Sequence, residues 1–197
     1  MRLGNWLTIE QSRKLLSIPD SSTKDKRDRA ILSLLLGCGL RRAELTGLRL
    51  TDFQRRDEHW AIVNLFGKGG NIRTVPVPAW VKTVLDEWLG ASGIEEGTIF
   101  RRVSCAGKVW GSKVSEKLVW WIVRQRAKRA GIDRLAPHDL RRTCARLCHA
   151  AGGELEQIQF LLGHRSVETT ERYLGCRQRL SSAVNDNIGI EPLSDGP

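Results

Sequence analysis

The chain contains one tyrosine, Tyr173, which stands nine positions after His164 in the segment LGHRSVETTERYL. An apolar pattern with helical spacing over residues 155–162 ends at Gly163, so His164 is predicted in a tight turn just after a helix. A tyrosine hydroxyl can attack phosphorus when neighbouring cations help it to ionise, because its ordinary pKa is about 10. The alternative is a packing residue with its hydroxyl at the surface.

Two further segments place strong hydrogen-bond donors at predicted helix starts. In GLRRAEL, Arg41 follows a glycine break where backbone N–H groups also favour an anion, and Glu44 can pair with an arginine and hold it. In APHDLRRT, His138 and Arg141 are three positions apart and share one face of a helix. A histidine beside an arginine is electrostatically unfavourable unless both bind the same anion. The simpler interpretation of each segment alone is a solvated surface.

Lys68 lies in the glycine-rich stretch FGKGGN between two β-rich runs, residues 60–65 and 72–77. The three together predict an antiparallel hairpin with Lys68 in its turn. Prolines in and just after the second run confine it to an edge or an end of a sheet. A flexible turn of this kind can deliver a cation to a site elsewhere in the fold.

The elements that must position these residues are mostly helical. Thr8 and Gln11 have the spacing of a capping box, which starts the first helix and carries it to about Ile18. Further helices are predicted over about 23–37, 41–48, 79–89 and 114–130, from about 138, over 155–162, and around Tyr173. With the hairpin, this predicts a mainly α fold with a small antiparallel β-sheet, of the α+β class.

The composition fits one soluble domain with a polyanionic partner. The 197 residues include 32 Lys and Arg against 22 Asp and Glu, a formal charge of +10. Most of the cations are arginine, whose planar fork suits phosphate, so nucleic acid is the simplest partner. Charge that serves only solubility is the alternative.

Membrane insertion, secretion and metal binding are not indicated. The densest apolar run, AILSLLLGCGL, is too short to cross a bilayer, and the first residues lack the apolar core of a signal peptide. We therefore expect a cytoplasmic protein with no membrane partner. The five cysteines have no framework spacing. Cys144 and Cys148, within an apolar pattern of helical spacing, are predicted to be small buried residues in a reducing compartment, and no metal site or cofactor is expected.

The order of these motifs resembles the tyrosine recombinases, the family of phage integrases and Xer-type recombinases that cut and rejoin DNA. The order is G-L-R-x-x-E-L, a glycine-flanked lysine in a hairpin, H-x-x-R, L-G-H, and a tyrosine nine residues later, over about residues 7–180. Each motif alone is weak, but the combination is specific. The resemblance implies the DNA breaking-rejoining catalytic fold, and it favours a nucleophilic role for Tyr173.

The resemblance implies a role for each matching residue in bond breaking. Tyr173 would attack a DNA phosphodiester and become joined to the 3′ phosphate. Lys68 would be the general acid that protonates the departing 5′ oxygen, and His138 would assist proton movement or bind the phosphate.

Phosphate binding is implied for the other members of the set. Arg41 and Arg141 would grip the non-bridging oxygens, His164 would hold the transferring phosphate, and Glu44 would support the first arginine. Two arginine forks fixed at those oxygens stabilise the charge of the transition state, so neither a divalent cation nor ATP is required.

Double-stranded DNA is the partner that the resemblance implies, with a homo-tetramer on DNA, a monomer when free, and association with the nucleoid when acting. Six further cations are candidate DNA contacts: Arg42, Arg124, Arg126, Lys128, Arg142 and Arg165. Three of them belong to RQRAKR, the last part of the helix predicted over about 114–130, so a favourable cationic helix end is an equal alternative.

The resemblance also sets the domain organisation. Residues 1–185 would be the catalytic domain, and residues 186–197 a flexible tail. Residues 175–190 would dock either on a neighbouring subunit or on their own domain. Typical members carry an N-terminal core-binding domain that this sequence lacks, so the chain is either a fragment or a single-domain recombinase. A type IB topoisomerase and a non-catalytic DNA-binding regulator remain alternatives, and the target DNA sequence is not indicated.

Overall fold

Helices are the main regular elements of the described residues, as the sequence predicts. The computed structural model describes residues 5–19, 21–67, 70 and 72–176. Within these ranges the helices are α1 Ile9–Leu16, α2 Thr23–Gly37, α3 Arg42–Gly47, α4 Ala79–Ser92, α5 Glu116–Arg129, α6 Pro137–Ala150, α7 Leu155–Leu162 and α8 Val167–Leu174. The strands are β1 Phe53–Arg56, β2 His59–Phe66, β3 Ile72–Val77, β4 Arg102–Val103 and β5 Val109–Trp110, and a 3-10 turn spans Leu50–Asp52.

Local chemistry fixes the first helix. The backbone N–H of Gln11 donates to the Thr8 hydroxyl at 3.2 Å, and the Gln11 side chain accepts from the Thr8 N–H at 3.0 Å, so the predicted capping box is confirmed. The helix ends at Leu16, slightly before the predicted end near Ile18. The backbone N–H of Ser17 donates the last hydrogen bond, to the carbonyl of Arg13.

The larger sheet has the order β1-β2-β3 and is antiparallel throughout. The hairpin β2–β3 is confirmed, and β3 lies at the sheet edge, where Pro76 opposite Ala61 does not interrupt a central ladder. The sequence did not predict β1, because its residues FQRR lack an apolar alternation. The two-residue strands β4 and β5 were also missed, since pairs so short carry no periodicity.

The core forms around α2, whose residues 30–36 are all buried. This helix packs against α4 and α6. A second, smaller cluster joins α6, α7 and α8 through Ala145, Ile158, Leu162 and Leu174. Because Leu174 adjoins Tyr173, this cluster anchors the helix that carries the tyrosine.

All five cysteines lie in the described ranges and form no disulfide there, but only two of them are buried. Cys144 is buried, as predicted, whereas Cys148 is only half-buried; Cys38 also lies in the interior, and Cys105 is exposed. Across the described ranges no three His, Cys, Asp or Glu side chains are grouped to hold a metal ion. The same ranges contain no helix that is both long and apolar enough to cross a bilayer.

Candidate active site

Helix α6 positions the H-x-x-R pair. It begins with Pro137, whose fixed φ suits a first helical position, and the Asp139 carboxylate accepts a hydrogen bond from the N–H of Ala136 at 2.9 Å. His138 and Arg141 therefore project from the first turns of α6. With Arg41 they line a cleft of about 410 Å³ between the starts of α3, α5 and α6.

Arg141 is buried, with a relative exposure of 2%. Its guanidinium donates to the backbone carbonyls of Gly39 and Leu162, which ties α6 to the turn before α3 and to the end of α7. Burial, together with the nearby charge of Arg41, lowers the pKa of Arg141 to about 10. The side chain thus stays protonated at neutral pH and is held rigidly in the cleft.

A carboxylate between two arginines holds Arg41. Glu44 Oε1 accepts from Arg41 Nη1 at 2.7 Å, and Glu44 Oε2 accepts from the backbone N–H of Arg41 at 2.7 Å. Arg73, from β3, donates to both oxygens of the same carboxylate, at 2.8 and 2.9 Å. Burial alone would raise the pKa of Glu44, but hydrogen bonds from Arg73 and from the Arg41 backbone outweigh it and lower the pKa to about 2.

Arg73 is the functional residue that the sequence analysis missed. Its side chain also donates to the carbonyl of Leu161 at 3.1 Å, so it links the hairpin to α7. A signal was present, because Arg73 has the same strand parity as Val75 and Val77, which are both buried. An arginine on the buried face of a strand requires an acidic partner.

His164 lies in the turn after α7, as predicted. Gly163 ends the helix with a left-handed φ of 62°, and the Gln159 side chain donates to the carbonyl of His164 at 3.2 Å. The imidazole Nδ1 lies 3.0 Å from the hydroxyl of Thr170, a fully buried residue that fixes the ring's orientation. Burial, followed by the charges of Arg141 and other arginines, lowers the pKa of His164 to about 4. Thr170 is a second positioning residue that the sequence analysis did not identify.

Tyr173 is brought to the same place by α8. Its ring centroid is 5.7 Å from that of His138 and 5.3 Å from that of His164, with the rings nearly perpendicular. The Tyr173 hydroxyl is buried and has no hydrogen-bond partner among the described residues. Burial raises the pKa of Tyr173, and the nearby charges of Arg141 and Arg142 oppose that rise.

His138 has the same electrostatic surroundings. Burial, and then the charges of Arg142 and Arg141, lower its pKa from the ordinary value. The imidazoles of His138 and His164 are therefore predominantly neutral at pH 7, which leaves each with a nitrogen able to accept a proton.

The structure brings together the predicted set Arg41, Glu44, His138, Arg141, His164 and Tyr173. Lys68 lies outside the described residues, so its predicted role remains a prediction. Arg142 lies over the Tyr173 ring. This arrangement concentrates arginines and neutral imidazoles around the side chain of one tyrosine.

The predicted DNA contacts differ in their accessibility. Arg42, Arg124, Lys128 and Arg165 are exposed. Arg126 is buried, with a relative exposure of 1%, and forms an ion pair with Asp25 at 3.4 Å. Arg126 is thus already paired with a carboxylate and, unlike the equally buried Arg141, does not line the cleft, so we no longer expect it to contact a DNA phosphate.

The fold and the cationic pocket around Tyr173 define a domain suited to phosphodiester chemistry. The model of the Phage integrase family matches residues 5–178, and the chain belongs to this family. The tyrosine recombinase XerC of Corynebacterium glutamicum is 38% identical over 160 residues, covering 81% of this chain and 50% of the relative. The tyrosine recombinase XerA of Pyrococcus furiosus is 35% identical over 196 residues, covering 98% and 65%. The chain thus spans between half and two thirds of the length of these curated relatives.

Solved structures show the same fold. A crystal structure of XerA recombinase matches with a TM-score of 0.70 at 24% identity, covering 90% of this chain and 60% of that one. The XerH site-specific recombinase bound to its difH substrate matches with a TM-score of 0.69 at 24% identity, covering 88% and 51%. The chain therefore has the catalytic-domain fold of the tyrosine recombinases, and the predicted fold is confirmed.

Proposed function

We propose that residues 1–185 form the catalytic domain of a site-specific DNA recombinase, which cleaves and rejoins duplex DNA through a covalent 3′-phosphotyrosyl intermediate. The observation that carries this proposal is the Tyr173 hydroxyl, which is buried and lacks a protein hydrogen-bond partner among the described residues, on a ring that packs edge-on against both His138 and His164. A packing tyrosine would bury its hydroxyl only with a partner, because an unsatisfied buried hydroxyl is costly. A bound DNA phosphate would remove that cost.

The proposed step is an in-line displacement at phosphorus. As the Tyr173 oxygen forms its bond to phosphorus, the bond to the 5′ oxygen breaks. The phenolic proton passes to a neutral imidazole, His138 or His164, and Lys68 is proposed to protonate the leaving 5′ oxygen. The tyrosyl ester retains the energy of the broken bond, so a 5′ hydroxyl from another strand can reverse the reaction without ATP.

Arg41 and Arg141 would stabilise the charge that gathers on the non-bridging oxygens. Both guanidiniums are already fixed, Arg41 by Glu44 and Arg141 by two backbone carbonyls, so little reorganisation is needed when the transition state forms. Arg41 retains about a third of its side-chain exposure, which leaves it accessible to a phosphate. The proposal requires no metal ion or other cofactor.

Duplex DNA is the proposed partner, bound as a homo-tetramer by a chain that is monomeric when free. Exposed Arg42, Arg124, Lys128 and Arg165 are proposed phosphate contacts, so binding should weaken steeply with salt. Action on DNA would place the protein at the nucleoid. Residues 175–190, of which only Gly175 and Cys176 are described, are the segment predicted to dock on a neighbour or on the same domain.

The test is incubation with labelled duplexes that carry a nick near candidate sites, without divalent metal, followed by denaturing electrophoresis. Wild type is compared with Tyr173→Phe, and a random-sequence duplex is included. A slow band that protease removes, present only with wild type, is the expected result. Absence of that band on every duplex, with DNA binding intact and also after fusion to an N-terminal core-binding domain, would contradict the proposal.

A further inference from the structure

Arg142 has a geometric relation to the nucleophile that its neighbours do not share. Its guanidinium carbon lies 5.0 Å from the centroid of the Tyr173 ring, within cation–π range. His138 and His164 approach the same ring at nearly right angles, with centroids 5.7 and 5.3 Å away. The ring of Tyr173 is therefore enclosed by one guanidinium and two imidazoles from α6 and the turn before α8.

The Arg142 guanidinium is poorly placed to serve as a DNA phosphate contact. Its Nε is buried and has no hydrogen-bond partner among the described residues. Two-pronged binding of phosphate through the Nε edge of the fork is thus closed to it. The exposed Arg165 does not have this restriction.

We propose that Arg142 is a positioning residue for the nucleophile: its guanidinium holds the Tyr173 ring in the site and stabilises the phenolate that forms during attack. This inference rests on the proposed function of Tyr173. The predicted role of Arg142 as a direct DNA contact is replaced by this one.

The other charged groups around Tyr173 are less able than Arg142 to stabilise its phenolate. The titratable groups that face the phenol come from α6 and from the turn after α7: His138, Asp139, Arg141, Arg142, Cys144 and His164. Only the two arginines among them lower the pKa of the phenol. Arg141 is proposed to bind the phosphate, whose negative charge would compensate it, so Arg142 remains as the cation for the phenolate.

A titration of the phenol tests this directly, because Tyr173 is the only tyrosine. Biosynthetic 3-fluorotyrosine gives one ¹⁹F NMR signal whose shift reports ionisation, at a lower pH than tyrosine itself. Wild type is compared in low salt, without DNA, with Arg142→Met and Arg142→Lys. The matched control is Arg172→Met, which removes an adjacent but exposed arginine that pairs with Glu168 at 2.7 Å.

The midpoint should rise by about one pH unit in Arg142→Met, because an opposite charge at this distance favours the ionised phenol. Arg142→Lys should keep most of the wild-type midpoint, and Arg172→Met should stay close to wild type. An unchanged midpoint in Arg142→Met, or a rise no larger than in Arg172→Met, would overturn the inference. Should the methionine variant fail to fold, Arg142→Gln carries the same prediction.

Cleavage of nicked DNA gives an independent readout. Arg142→Met should cleave more slowly than wild type, and the ratio of the two rates should approach one as the pH rises. At high pH the Tyr173 phenol ionises even without the stabilising charge of Arg142. A deficit that is equal at every pH, or one confined to DNA affinity, would contradict the positioning role. The titration contains no DNA, so it tests the contact between Arg142 and Tyr173 even if the chain proves unable to cleave.

Discussion

Replacement of Glu44 by glutamine should destabilise the protein more than any exposed charge change. The Glu44 carboxylate is buried between Arg41 and Arg73, and its pKa is about 2 in place of the ordinary 4.5. At about 1.4 kcal/mol per pH unit, this difference favours the ionised form by roughly 3 kcal/mol. Glutamine keeps the shape but leaves two guanidiniums without their anion. We therefore expect a loss of about 3 kcal/mol at pH 7, in the range measured for broken buried ion pairs.

The pH dependence gives this prediction a distinctive form. Because folding depresses the pKa of Glu44, its stabilisation is fully present above about pH 4.5 and is lost as the pH falls through about 2. The difference in unfolding free energy between wild type and Glu44→Gln should therefore shrink as the solution is acidified. Cleavage should also fall, by roughly a hundredfold, because Arg41 loses the carboxylate that orients it toward phosphate.

Urea denaturation at a series of pH values is the assay. The matched control is Glu168→Gln, which breaks an exposed pair with Arg172 whose side chains are 74% and 71% accessible. That change should cost no more than about 0.5 kcal/mol. A loss below about 1 kcal/mol for Glu44→Gln, or a difference that does not vary with pH, would refute the account of the buried carboxylate.

Three further predictions concern the turn before the nucleophile. Thr170→Val should leave His164 without its Nδ1 partner and slow single-turnover cleavage by about tenfold or more, with unchanged DNA affinity. Gly163→Ala should cost about 1–2 kcal/mol in urea denaturation, because φ is 62° and the added Cβ would lie 2.8 Å from Arg73 Cδ; Gly152→Ala, with open space, should cost less. The folded pKa of His164 is about 4, below its ordinary 6.5, so stability should fall as the pH drops through that interval. His164→Gln should flatten this part of the profile.

Features set by local chemistry could be predicted from the sequence. The capping box at Thr8, the helix end at Gly163 and the edge position of β3 each depend on residues close together in the chain. The order of the site motifs then pointed to the residues that meet around Tyr173. The contacts between these residues depend on the fold, since they join distant parts of the chain: Arg141 donates to the carbonyl of Gly39, 102 positions away.

Two arginines show where sequence reasoning fell short. The pattern RQRAKR predicts either contacts with the DNA backbone or a cationic helix end, yet Arg126 continues the buried stripe of α5 that includes Ile122 and Val123. The helical period therefore indicates that Arg126 is buried. The ion-pair partner of Arg126, Asp25, lies 101 positions away and could not be inferred. Arg73 was missed for the same reason, since its carboxylate partner Glu44 belongs to a different element. Buried ion pairs of this kind are long-range and leave only a parity signal in the sequence.

Identification of the covalently modified residue is the decisive test of nucleophilic attack by Tyr173. Wild-type protein trapped on a nicked duplex would be digested with nuclease and trypsin and analysed by mass spectrometry. We expect a nucleotide joined through its 3′ phosphate to Tyr173 of the peptide YLGCR, and no such adduct in Tyr173→Phe. A nucleotide adduct on a cysteine, serine or histidine, or one that persists in Tyr173→Phe, would contradict it.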